Sequence, residues 1–249
     1  MTNPKKVYKY REPINEPETA SMLQKTAHIK NEYFKLRVRC LIGLVKKFGK
    51  RRREVSTLKI TDLEVKDEYL FVTFLIAKKH KRGLFQCLKM LERENPSELL
   101  KPLPELRAEW KAWQETEAGH RYKESMTTKK VSVQDKYAKM ILEYLTNVTR
   151  TWPEAKWLFT SGRNLFGQTN RIDQDHHLSG SQLLRLVKSL NEGVWLHLFR
   201  ELKGKEISED MGRTITSIRE VQDFLDLENE ATTYRYVKRF AIAEAKPET

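Results

Sequence analysis

Five side chains of four types arrive in an order that suits one chemistry. Arg51 lies in GKRRREVSTL, and Lys78 begins the basic turn of AKKHKRG. His197 and Arg200 sit in HLFR, and Tyr236 closes ATTYRY. A phosphodiester carries one negative charge, and more builds on its oxygens while phosphorus is attacked. Arginines meet those oxygens with planar, paired N–H donors. A histidine adds a donor or moves a proton, a lysine adds a compact cation, and a tyrosine hydroxyl is a nucleophile that forms a covalent link. Order and types together point to cleavage and rejoining of DNA strands. Each residue alone has a plainer reading. Arg51 stands in a run with six basic residues in eight (46–53), as a solvated or phosphate-contacting patch would. His197 has Trp195, Leu196, Leu198 and Phe199 about it, as a core histidine would. A lone tyrosine usually packs its helix.

The elements that must position these groups are mostly helices. Residues 1–15 are polar, with Pro4 and Pro13, and read as a basic arm; helix begins at Glu16. Asn31 is suited to cap a long amphipathic helix that Gly49 ends. Its Phe34, Val38, Leu41, Val45 and Phe48 keep helical spacing and are expected in the core. A short helix is expected from Arg52 to Leu58. Residues 69–77 (YLFVTFLIA), the turn KKHKRG and LFQCLKM give a β-hairpin signal, with a third strand around Leu63–Val65. Residues 91–130 are rich in Glu and Lys and read as a helical insertion with exposed loops; Trp110 and Trp113 share a helix face there and are expected to pack. Helix resumes in SVQDKYAKMILEYLTNVT, and WLFTS is a short strand or turn. GRNLFGQTNRIDQDHHLSG reads as a polar loop, SGSQLLRLVKSLN as a helix with a serine cap, and WLHLFRELKG as the start of another. The tail from Ser217 reads as two helices joined by a polar turn. The expected fold is mostly α with a small antiparallel β-sheet.

Composition narrows the partners. The 249 residues include 47 Lys and Arg against 34 Asp and Glu, a net charge of +13, with a pI of about 9.6. That balance favours a polyanion, most simply nucleic acid. Cys40 and Cys87 both lie among apolar residues and read as buried free thiols of a reducing compartment. No window approaches the roughly 18 apolar residues of a membrane span, and the N-terminus lacks a signal peptide's apolar stretch, so an intracellular protein is expected, without a membrane partner. His176 and His177 are adjacent in a polar segment with no cysteine pair nearby, which does not read as a metal site.

In this order and with these neighbours, the chain resembles the tyrosine recombinase, or phage integrase, family over roughly residues 16–240. GKRRREVSTLKITDL is similar to that family's first arginine motif: a glycine, the arginine two residues on, and an acidic residue three further. The match assigns the first catalytic arginine to Arg51 and a supporting acid to Glu54, with Leu58 and Asp62 at the later positions; Arg52 and Arg53 are rivals by proximity. The family carries a catalytic lysine at a hairpin tip, where Lys78 matches and Lys79 and Lys81 are alternatives. HLFR resembles its His-x-x-Arg box. VQDFLDLENEATTYRY resembles its C-terminal segment, where leucine–glycine–histidine precedes two threonines and the nucleophile. Thr232 and Thr233 match the threonines, and Tyr236 follows three residues after the second. Tyr234 is the rival, on the opposite side of a helix.

The resemblance implies attack by Tyr236 to give a 3′-phosphotyrosine, with Lys78 protonating the leaving 5′ oxygen and no metal, cofactor or ATP. Lys50, Arg52, Arg53, Lys79, Lys81 and Arg82 are expected to contact DNA. It implies double-stranded DNA as partner, four protomers on two duplexes, and integration or excision of a mobile element. The tail 237–249 is expected to dock on a neighbouring protomer. Family members carry a DNA-binding domain ahead of the catalytic one. Here the arm and the 91–130 insertion, an accessory DNA-binding partner, or a longer protein would complete the clamp. One departure stands out: LDL replaces leucine–glycine–histidine, so Leu227, which donates no side-chain hydrogen bond, falls where histidine or tryptophan is usual. Two alternatives follow: a type IB topoisomerase-like enzyme, and a DNA-binding protein that kept the fold without full catalysis.

Overall fold

A computed structural model describes residues 13–77, 125–162, 172–210 and 215–227, together with 105, 108, 111–113, 115, 116 and 233. Helix α1 (Glu16–Thr26) is capped by Asn15, whose side chain accepts from Glu18 while Glu18 accepts from the Asn15 N–H. Ile14 is fully buried in the core, so the polar arm expected over 1–15 is already packed chain at its last residues. Helix α2 (Glu32–Phe48) starts on the Asn31 side chain and stops at Gly49, whose φ of 57° is the left-handed cap that favours glycine. A β-carbon at Gly49 would lie 3.0 Å from both Leu225 and Lys203, so the position demands glycine twice over.

Short helix α3 (Arg52–Ser56) and one 3-10 turn (Ile60–Asp62) lead into strand β1 (Leu63–Lys66). Strand β2 (Tyr69–Leu75) pairs antiparallel with β1 through a two-residue turn in which Asp67 and Glu68 both have positive φ. On its other edge β2 pairs antiparallel with β3 (Met126–Ser132), Tyr69 opposite Ser132 and Leu75 opposite Met126. Two sequence expectations are corrected here. Residues 126–130 belong to a strand, not to a helical insertion. Both edges of β2 are occupied, so LFQCLKM is not its partner over 69–75; residues 84–90 themselves lie outside the described residues. Trp113 is buried, as packing requires, and Trp110 lies outside.

Helix α4 (Lys136–Thr151), capped by Asp135, packs along α2. The two approach closely at Gly43, where a β-carbon would stand 3.0 Å from the Tyr137 carbonyl. Strands β4 (Thr160–Gly162) and β5 (Ile172–His177) form a second, two-stranded antiparallel sheet. The sequence reads 172–177 as loop; its polar composition hides a strand that β4 pairs with. Helix α5 (Gly180–Lys188) begins on Ser179, α6 (Leu196–Asp210) follows, and α7 (Ile215–Phe224) ends the described helices apart from helical Thr233. The core gathers α2, the inner face of the three-stranded sheet, α4 and α5 around Leu41, Phe48, Phe74, Tyr144, Phe159 and Phe199. Cys40 is buried in it, and burial pushes its thiol pKa well up. No described helix is long and apolar enough to cross a membrane.

A polar joint ties α1 to α2, α4 and α6. Glu16 receives Lys136 at 2.7 Å and the Tyr137 hydroxyl at 2.9 Å on one oxygen, and Lys46 at 3.0 Å on the other. Lys46 also reaches Glu206 at 2.5 Å. Burial pushes the Glu16 carboxyl up, but hydrogen bonds from Lys136, Lys46 and Tyr137 outweigh it and hold the pKa at about 2, against an ordinary 4.5. A carboxylate with a depressed folded-state pKa stabilises the fold above its unfolded value and loses that contribution as pH falls through the folded one. Thermal melts between pH 4.5 and 2 are therefore expected to fall more steeply for the wild type than for Glu16→Gln. Parallel curves would remove Glu16 from the acid response.

Candidate active site

Three turns of chain meet at one cavity of about 280 Å³, lined by Lys50, Arg51, Arg52, Leu184, Trp195, Leu196, His197 and Arg200. Arg51 and Arg52 come from the junction of α2 and α3. Trp195, His197 and Arg200 come from the start of α6, where residues 197 and 200 share a face one turn apart. Arg51, His197 and Arg200, 146 or more positions apart in sequence between the first and the other two, thus line a common wall.

Each is held differently. Arg51 is partly exposed and anchored by Glu54, whose carboxylate accepts the Arg51 backbone N–H at 2.8 Å and its Nη1 at 2.8 Å. Glu54 is 1% exposed, so this charge-assisted pair is only half in water. The acid does two things: it caps the short helix α3 and aims the guanidinium. Arg200 is 1% exposed and is the largest fully buried side chain described. Its Nη1 donates to the Gly49 carbonyl at 2.9 Å and its Nη2 to the Leu225 carbonyl. Those bonds tie α6 to the end of α2 and the end of α7. His197 is exposed, and its Nε2 stands 3.4 Å from the buried Glu201 carboxylate one turn on.

Lys50 departs from expectation. It was grouped with Arg52 and Arg53 as a DNA contact, yet its side chain is 0% exposed, paired with Asp226 and over the Phe74 ring at 5.1 Å. The left-handed cap at Gly49 turns the chain so that Lys50 points inward beneath the cavity. Arg52 and Arg53 do point to solvent, in the first turn of α3, and Arg52 reaches the cavity. Lys78, Lys79, Lys81, Arg82, Tyr234 and Tyr236 lie outside the described residues; β2 ends at Leu75, three positions before Lys78, and Thr233, three before Tyr236, is fully buried.

Two contributors were not singled out from sequence. Trp195 is 53% exposed on the cavity rim, with Lys188 Nζ 4.0 Å from its ring centroid. No sequence signal marks it, since Trp195 lies in the apolar run VWLHLF and its exposure follows from packing. Asp226 gave none, because its pairing depends on where α7 ends in space. The His177 ring lies tilted against Trp157, centroids 4.8 Å apart, and its Nδ1 bonds the Leu178 carbonyl at 2.9 Å, which gives it a packing role.

Compared by sequence, the chain matches no protein-family model and no curated protein. Compared by structure, it matches the XerH site-specific recombinase bound to difH substrate, as a pre-cleavage complex (TM-score 0.54, 14% identity, 96% of this chain and 54% of that one). XerH in a post-cleavage complex with palindromic difH substrate gives a TM-score of 0.56 at 14% identity, over 98% of this chain and 54% of that one. The XerA recombinase gives 0.52 at 15% identity, over 97% and 68%. The chain has the tyrosine recombinase catalytic-domain fold. It spans about half the length of the XerH chains that it matches. The recombinase fold accounts for the architecture described above, a mostly helical body with small antiparallel sheets.

Proposed function

We propose that this chain cleaves and rejoins double-stranded DNA, with Tyr236 attacking a phosphodiester held by Arg51, His197 and Arg200. The observation that carries the reading is the convergence of those three side chains on one cavity. They are the residue types a phosphoryl transition state needs, and they come from separate parts of the chain. Negative charge that builds on the non-bridging oxygens would be met by these cationic groups held at one cavity, and such preorganised charge is where phosphoryl-transfer sites gain most of their rate. The Tyr236 hydroxyl passes its proton to His197 and forms a bond to phosphorus as the bond to the 5′ oxygen breaks, Lys78 supplies a proton to that oxygen, and the product is a 3′-phosphotyrosine. Its link keeps the phosphodiester energy, so a 5′ hydroxyl reverses it. Arg52 and Arg53, with Lys79, Lys81 and Arg82, contact the flanking phosphates, and Trp195 offers its face to a sugar or base at the rim. The net charge of +13 supports a duplex as partner. Integration or excision of a mobile element, by four protomers on two duplexes with an accessory DNA-binding partner or segment, is the setting this chemistry serves.

A second reading has one observation behind it. Leu227 stands where the family has a histidine or tryptophan, and its backbone N–H is spent on the Gln222 carbonyl at 2.9 Å. A protein that binds DNA without cleaving it would tolerate this. Covalent trapping decides. Wild type and Tyr236→Phe are incubated with a nicked random-sequence duplex library, denatured in detergent, and the protein-linked DNA is sequenced. Adducts with the wild type alone are expected and give the cleavage site as well. Adducts with both move the nucleophile to Tyr234 or elsewhere. Intact DNA binding with no adduct from either favours the binding protein. Relaxation of supercoils without strand exchange favours the topoisomerase-like enzyme.

A further inference from the structure

Asp226 sits at φ 49°, in the left-handed region, just past the end of α7. The N–H of Leu227 bonds back to the Gln222 carbonyl at 2.9 Å and that of Leu225 to Val221 at 3.0 Å, which closes the helix in the way a glycine would permit without strain. In the comparison with leucine–glycine–histidine, Asp226 occupies the glycine position. The chain thus carries a carboxylate where the backbone favours none. Its contact is the Lys50 ammonium, fully buried beside Arg51 and lining the same cavity.

A second link joins the same two segments. Arg200 donates to the carbonyl of Gly49, one residue before Lys50, and to the carbonyl of Leu225, one residue before Asp226. Residues 49–50 and 225–226 are therefore laced together twice, once through Arg200 and once directly. From Leu227 the chain runs nine positions to Tyr236.

We propose that the Lys50–Asp226 pair is a positioning device of the cleavage site, anchoring the segment that leads to Tyr236 against the turn that carries Arg51. The inference rests on the DNA-cleavage reading. The pair acts by holding residues 225–226 against the turn that carries Arg51. Burial draws the Lys50 ammonium below its ordinary pKa, and Asp226 is the first group opposing that effect. Without the carboxylate, the buried cation would lose its paired partner and keep the Coulombic attraction of Glu54.

The test uses Asp226→Gly, which suits the backbone and deletes the carboxylate. Melting temperature, affinity for the duplex recovered by trapping, and the first-order rate of adduct formation at saturating DNA are measured together. A merely structural pair predicts a less stable variant that, while folded, cleaves as fast as wild type. The positioning role predicts that the folded variant keeps its affinity within about twofold and has a rate lowered by about 100-fold, the scale of a small misplacement at a reacting centre. Asp226→Asn, which keeps an acceptor for the ammonium, recovers part of the rate. A glycine variant as fast as wild type overturns the proposal. Should that variant fail to fold, Lys50→Met removes the pair from its other end and must show the same slow rate. Should the wild type form no adduct, the functional reading fails, and hydrogen exchange reads the anchor by itself: amides at 49–52 and 225–227 must exchange faster in Asp226→Gly, and unchanged exchange overturns the anchor.

Discussion

Arg200→Lys is expected to lower the cleavage rate by about 100- to 1,000-fold, the loss seen when one preorganised donor to a developing oxyanion is removed, and to destabilise the fold as well. Both effects come from one geometry. The guanidinium is buried and spans two carbonyls, those of Gly49 and Leu225, from one planar group. An ammonium on a single carbon stem reaches one of them. The other carbonyl is left buried without its donor, at a cost of about 1–3 kcal/mol. Arg200→Ala forfeits both bonds and leaves a void as well, so it is expected to fold poorly. Lysine is thus the informative variant: it keeps the charge and removes the fork. Denaturant melts give the stability loss, and single-turnover cleavage at saturating DNA gives the rate. Arg200→Lys at the wild-type rate would take Arg200 out of the reacting centre and leave it as a brace between α6, the α2 cap and α7.

That dual role also explains how far the sequence was legible. Helix limits that rest on local chemistry could be read: Asn31 and Gly49 bracket α2, and Ser179 starts α5. Arg51, His197 and Arg200, singled out by type, order and spacing, come together at one cavity of the fold. Elements that exist only because of distant partners could not be read. Strand β3 begins 51 positions past the end of β2 in a polar stretch, and β5 is IDQDHH, with no apolar alternation to mark it. The burial of Lys50 is hidden in sequence for the same reason. In the run Lys46 to Arg53 this lysine is one cation among six. Its burial follows from the turn at Gly49 and from Asp226, which is brought to it by packing 176 positions away. Partners of the site residues that lie on other elements, such as the carbonyls of Gly49 and Leu225, belong to tertiary geometry. Glu54, which the family resemblance singles out, differs in that its partner Arg51 is three residues away.

Glu54 carries the second large expected effect, and here binding and catalysis should move in opposite directions. Its buried carboxylate accepts both the backbone N–H and the Nη1 of Arg51. Glu54→Ala removes the cap of α3, at about 0.5–2 kcal/mol for a lost helix cap, and releases the Arg51 side chain from its anchor. It also removes one negative charge from a cavity lined by Lys50, Arg51, Arg52 and Arg200. Loss of that charge raises the local positive potential, so affinity for duplex DNA should hold or rise, most visibly at low salt. The freed guanidinium no longer waits in the orientation the transition state needs, so the rate at saturating DNA should fall by about 100-fold. Glu54→Gln keeps an acceptor for the Arg51 N–H and should fall between alanine and wild type. A residue that served only the fold would lower affinity and rate together, in step with the melting temperature. Cleavage rate and affinity measured across a salt series distinguish these outcomes. Parallel losses would assign Glu54 to the helix, and opposed movements would assign it to the aim of Arg51.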